Sequence, residues 1–221
     1  MGSRKISFVN KRYYHIYNRG VDKRNIFIDT KDMYYFFNRL IDLNNDDSSP
    51  IIRNRRNVLA GKVSIGSGKQ LVSIIAYCLL PNHFHLLLKQ ETNNGITKFM
   101  QRLGTSYTMF FNKKYERNGP LFAGKFKAKM LDGYFALPTV SSYINLNHKY
   151  HQIDPKNQLI KSSIFEFLGT EIGDKICNED EVKNILKEIN GDYKSYLKEI
   201  SSHFITTKNI NPNKFNLDEF E

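Results

Sequence analysis

The stretch QLVSIIAYCLLPNHFHLLLKQ, residues 70–90, is the most strand-like part of this 221-residue chain. Aliphatic and β-branched residues dominate it, and only Pro81-Asn82 breaks the run, leaving one strand that ends at Leu80 and a second from His83 to Gln90. A strand repeats every two residues, so both imidazoles of His83-Phe84-His85 leave one sheet face while Phe84 enters the other. Two nitrogen ligands are thereby offered side by side to a metal ion. The pattern alone carries little weight, because six histidines in a chain of this length produce an H-x-H by chance in roughly one chain in six.

Upstream, residues 8–18 are aromatic and β-branched and stop at Arg19-Gly20, which reads as a strand and turn. Asp29-Thr30 caps a predicted helix over 31–43, with Met33, Phe36, Phe37, Leu40 and Ile41 on one face. Residues 44–57 are polar and turn-rich and read as a loop. Val58–Ile65 and 70–80, joined by Gly66-Ser67-Gly68-Lys69, read as a hairpin. Downstream, Thr92 or Asn93 caps a helix over 95–113, Phe122–Leu131 is a strand candidate, Asp132-Gly133 a turn, and 135–149 a helix opened by Pro138. Past about 152 the chain turns acidic, with a helix expected at 179–189 and an irregular tail after 205. The order strand, helix, strands, helix, strand, helix predicts an α+β fold: a ferredoxin-like antiparallel sheet covered by helices in 1–151, followed by an acidic, partly helical extension in 152–221.

The formal charge is +11, unevenly placed: residues 1–130 hold 23 of the 33 Lys and Arg but only 8 of the 22 Asp and Glu. A polyanion belongs on that basic part, although a merely solvated basic surface gives the same count. Arg53, Arg55 and Arg56, then Lys113, Lys114 and Arg117, then Lys125, Lys127 and Lys129 form three clusters. Alternation along a strand aims the last three at one face. Arg19, Lys23 and Arg24 in the first turn are further candidate contacts, and Phe122, Phe126 and Tyr134 either stack bases or fill the core. Cys78 and Cys177 are too few and too distant for a disulfide framework, no stretch is long and apolar enough to span a membrane, and a reducing cytoplasm fits best.

Leu79-Leu80-Pro81-Asn82-His83-Phe84-His85-Leu86-Leu87-Leu88, taken with Tyr143-Ile144-Asn145-Leu146-Asn147 and His15-Ile16-Tyr17-Asn18-Arg19-Gly20, resembles the single-tyrosine HUH transposases. Within that superfamily it looks most like the REP-associated tyrosine transposases and their insertion-sequence relatives, over about residues 8–150. The resemblance implies that His83 and His85 bind a divalent metal, that Tyr143 attacks a single-stranded DNA phosphodiester, and that Asn147 completes the metal site. It also implies hairpin DNA as partner, a 5′-phosphotyrosine intermediate, and either a monomer or a homodimer that exchanges the tyrosine helix. The family's usual Asn-Pro is Asn147-His148 here, which leaves His148 as a substitute ligand candidate.

Elementary chemistry agrees with that assignment. Positions 143 and 147 of one helix lie on the same face, so a phenol and an amide oxygen can enter one site. Mixed nitrogen and oxygen ligation with open positions suits Mg²⁺ or Mn²⁺ better than a closed structural zinc site. A phenol of ordinary pKa about 10 needs such help to attack at neutral pH. Tyr107, Tyr115, Tyr134 and Tyr150 compete for the nucleophile's role, and no general base is identifiable. Two other functions remain open: a domesticated protein that holds hairpin nucleic acid without cutting it, and a phosphoesterase that uses activated water.

Overall fold

A computed structural model describes residues 7–46, 68–133, 136–154, 158–170 and 175–210. Strand β1, Tyr13–Arg19, ends where Gly20 turns the chain. A Cβ at Gly20 would lie 2.2 Å from the carbonyl oxygen of Arg24, an approach open only to glycine. Helix α1, Thr30–Asp42, starts at a reciprocal cap: Asp29 accepts from the Asp32 amide, and the Asp32 carboxylate accepts from the Asp29 amide. Met33, Phe36, Phe37 and Leu40 are buried along its inner face.

Strands β2, Val72–Leu80, and β3, His83–Gln90, close a tight hairpin in which Leu80 faces His83 across Pro81-Asn82. Pro81 has no N–H to leave unpaired, and its carbonyl accepts from the Ile26 and Phe27 amides at 2.7 and 2.9 Å. The hairpin expected between Val58–Ile65 and 70–80 is not seen in this form: Val58–Ile65 lies outside the described residues, and the described partners of β2 are β3 and a later strand.

Helix α2, Gly95–Lys114, begins after Asn94, whose φ of 58° is left-handed and whose side chain makes no capping bond. The expected caps at Thr92 and Asn93 therefore fall short of the true boundary. Strand β4 is confined to Lys127–Met130, the part of 122–131 that pairs with β1. The single helix expected over 135–149 is two: α3, Ala136–Asn145, and α4, Asn147–Tyr150, separated at Leu146. The break adjoins Asn145, whose buried amide is bound by Tyr193 and Ser163 from later elements. After 152 come β5, Lys161–Ser162, and the helices α5, Ile164–Leu168, α6, Glu179–Glu188, and α7, Tyr193–Ile210. Helix α7 thus runs on past 205, where an irregular tail is expected from the sequence.

The sheet order is β4-β1-β3-β2-β5, with every pair antiparallel. The first four strands, with α1 and α2 as crossovers, are the predicted ferredoxin-like arrangement. One face carries α1 and α2, joined to it by Phe36, Phe84 and Tyr107 in edge and tilted ring contacts. The opposite face carries α3 on β2 and β3. The acidic C-terminal segment supplies the edge strand β5, and Glu181 of α6 takes Lys89 at 2.6 Å and the Tyr13 hydroxyl at 3.1 Å.

Candidate active site

His83 and His85 leave the α3 face of the sheet, as strand alternation requires, and both are buried. The hairpin turn fixes the first. Asn82 donates its amide N–H to the Lys23 carbonyl at 3.3 Å, so its Oδ1 faces His83 and accepts from Nδ1–H at 2.6 Å. A neutral His83 then points its Nε2 lone pair at Asn147 Oδ1, 3.2 Å away. The Asn147 side-chain amide thus meets that nitrogen at a distance an amide N–H spans as a hydrogen bond, and its oxygen can share a cation with His83. His85 Nδ1 is 2.9 Å from His15 Nε2, and its Nε2 has no hydrogen-bond partner among the described residues.

His151 completes the cluster: one ring nitrogen from each of His83, His85 and His151 lies within 4.8 Å of the others. Burial first, and then the neighbouring His15, His83 and His151, push the His85 pKa well below its ordinary value. The neutral form that can ligate a metal is therefore the stable one. Three ring nitrogens within 4.8 Å of one another, a buried His85 Nε2 with no hydrogen-bond partner among the described residues and the adjoining Asn147 amide fit a divalent cation. Three imidazoles make the donor set richer in nitrogen than the sequence implies.

His151 escapes the motif reading because its own context, after the α4 turn, matches no pattern. Its spacing was the available signal, four residues after Asn147 and eight after Tyr143. His148, the substitute ligand candidate, is outside the three-histidine group; it is buried beside a different cavity, with Met33, Gln158 and Phe165.

Tyr143 is brought to the same layer, with its ring centroid 6.0 Å from that of His15 and 6.1 Å from that of His85, both edge-on. It is fully buried and stacks on Tyr150 at 5.4 Å. Because the helix breaks at Leu146, Tyr143 and Asn147 approach the histidines from two short helices and not from one continuous face. Of the competing tyrosines, Tyr107 donates to the Ile26 carbonyl inside the core and Tyr115 donates to Asp32 at 2.7 Å. Tyr134 lies outside the described residues.

A cavity of about 640 Å³ opens over the histidines, and its wall includes Arg19, Lys23, Lys125 and Lys127 from the predicted DNA contacts. Lys127 and Lys129 share a face of β4, opposite Tyr17 and His15, whereas Lys125 precedes the strand. Lys127 also lies over the Tyr17 ring. The remaining candidates stand elsewhere. Arg24 bonds the Val21 carbonyl, Lys113 is exposed at the end of α2, and Arg117 donates to Asn112. Lys114 is engaged by Asp29 and Asp32 at 2.7 and 2.6 Å. Arg53, Arg55 and Arg56 lie outside the described residues.

Residues 51–147 match the family described as transposase, IS200-like. The match takes in β2, β3, α2, β4 and α3, and with them His83, His85, Tyr143 and Asn147. No curated protein sequence matches it. A solved structure, described as a REP-associated tyrosine transposase bound to a REP hairpin, shares the fold with a TM-score of 0.52 at 10% identity, over 80% of this chain and 94% of that one. No described helix is long and apolar enough to cross a membrane.

Proposed function

We propose that the protein is a metal-dependent transposase that cleaves and rejoins single-stranded DNA beside a hairpin, with Tyr143 as nucleophile. The observation that carries this reading is the meeting of His83, His85, His151, Asn147 and Tyr143 in one layer beneath a basic cavity. The family match supports a transposase, and the hairpin bound by the structural neighbour supports the class of DNA.

His83, His85 and His151, with Asn147, would hold a divalent ion, Mn²⁺ in the first instance. When bound, the ion supplies charge that polarises a phosphate and offsets the negative charge of the transition state. Arg19, Lys23, Lys125 and Lys127 bind the flanking phosphates and orient the strand. The Tyr143 oxygen forms the new bond to phosphorus as the bond to the 3′ oxygen breaks. One hydroxyl proton is lost and one gained, so the step is balanced, and the phosphotyrosine retains enough energy to be resealed by a second 3′-OH. Burial of Tyr143 requires α3 to shift before its hydroxyl meets DNA.

That same burial favours a second reading, a protein that holds hairpin DNA without cutting it. Labelled single-stranded hairpin DNA, incubated with the protein and Mn²⁺ and resolved on a denaturing gel, separates the readings. A covalent adduct lost in Tyr143→Phe is expected. Binding without cleavage supports the holding protein, and cleavage without an adduct supports activated water.

A further inference from the structure

We propose that His15 is a positioning residue: it accepts the Nδ1–H of His85 and so holds His85 in the tautomer whose Nε2 lone pair faces the metal-binding group. The inference rests on the metal-site reading above but concerns a residue outside the ligand set.

The strand register makes the pairing. His15 of β1 stands opposite Leu87 and is the diagonal neighbour of His85, with both side chains on the α3 face. His15 is 1% exposed, its Nε2 lies 2.9 Å from His85 Nδ1, and the two rings stack at 5.1 Å with an interplanar angle of 21°. Tyr17 stacks on His85 at 5.8 Å and fixes the plane of the ring.

One proton is shared across the short contact, so two arrangements exist for neutral rings. If His15 Nε2–H donates, His85 must carry its own proton on Nε2. That buried N–H would have no acceptor among the described residues. If His85 Nδ1–H donates, Nε2 is left as a lone pair beside His83 and His151, the form a metal ion takes. The second arrangement places the His15 proton on its own Nδ1, so each arrangement keeps one buried N–H outside the pair, and the second alone turns a lone pair toward the three-histidine group. It also repeats the device at the neighbouring ligand, where Asn82 Oδ1 accepts from His83 Nδ1. Each histidine of the motif thus has a dedicated acceptor behind it, Asn82 for His83 and His15 for His85. Such outer partners orient a ligating imidazole and raise its basicity.

Two measurements test this on the full chain. Long-range ¹H–¹⁵N correlation spectra of the metal-free protein read the His85 tautomer directly; the Nδ1–H form is expected, and the Nε2–H form would overturn the inference. Calorimetric titration with MnCl₂ then compares variants whose thermal midpoints show them folded. His15→Phe, which keeps a ring but has no acceptor, should bind Mn²⁺ about 10- to 100-fold more weakly, and His15→Gln, whose amide oxygen can still accept, should stay within about threefold of wild type. Equal affinity in wild type and His15→Phe would overturn the proposal. A wild-type protein that binds no Mn²⁺ would instead defeat the underlying metal-site reading, and the tautomer spectrum would still decide the hydrogen bond.

Discussion

His83 and His85 owe their shared direction to strand alternation, and that much is readable in three letters of sequence. The third histidine is not, because His151 follows a break in the helix and converges with the pair only through the packing of α3 and α4 on the sheet. The two later histidines give a direct comparison. His151→Ala should weaken Mn²⁺ binding at least about tenfold in calorimetry, while His148→Ala, facing another cavity, should leave the affinity unchanged. Lys114 teaches the opposite lesson. Its sequence context marks it as a DNA contact, yet the partial loss of solvent that lowers its pKa is outweighed by the hydrogen bonds it donates to Asp29 and Asp32, which hold the pKa above the ordinary range.

Helix α3 is fastened by residues that arrive late in the chain. Asn145 donates to the Tyr193 hydroxyl at 2.7 Å and accepts from Ser163 at 2.6 Å, which couples the helix that carries Tyr143 to β5 and α7. Asn145→Ala leaves both buried partners short of a hydrogen bond and should cost about 1–3 kcal/mol, seen as a lower urea midpoint at unchanged slope. Burial also pushes the Tyr193 phenol up to about 12. Its neutral form is therefore favoured by folding: the contribution is complete below about pH 10, the unfolded value, and is lost as pH rises through 10 to 12, by about 1.4 kcal/mol per unit. Tyr193→Phe should flatten that part of the stability profile. Strands β1 to β4, α1 and α2 were legible because their periodicity is strong. The break at Leu146 was not, since it lies within an unbroken helical pattern and adjoins Asn145, which is bound by residues far along the sequence.

Across the molecule, the charge asymmetry and the topology converge. The basic first 130 residues supply the sheet, and four of their cations rim the histidine cavity, while the acidic remainder supplies β5 and the helices that brace α3. The ferredoxin-like order was legible because β1-α1-β2-β3-α2-β4 is a local alternation of patterns. The fifth strand was not, because two residues, Lys161–Ser162, carry no periodicity of their own. Hairpin DNA binding should fall steeply with salt, and Lys127→Ala should reduce the slope of log affinity against log salt by about 1. The proposed bond between Tyr143 and DNA can be read by peptide mapping with mass spectrometry after incubation with a single-stranded hairpin substrate and Mn²⁺. A nucleotide-modified peptide whose modified residue is Tyr143 is expected; a nucleotide on any other tyrosine, or cleaved DNA with every tyrosine unmodified, would overturn the assignment of Tyr143.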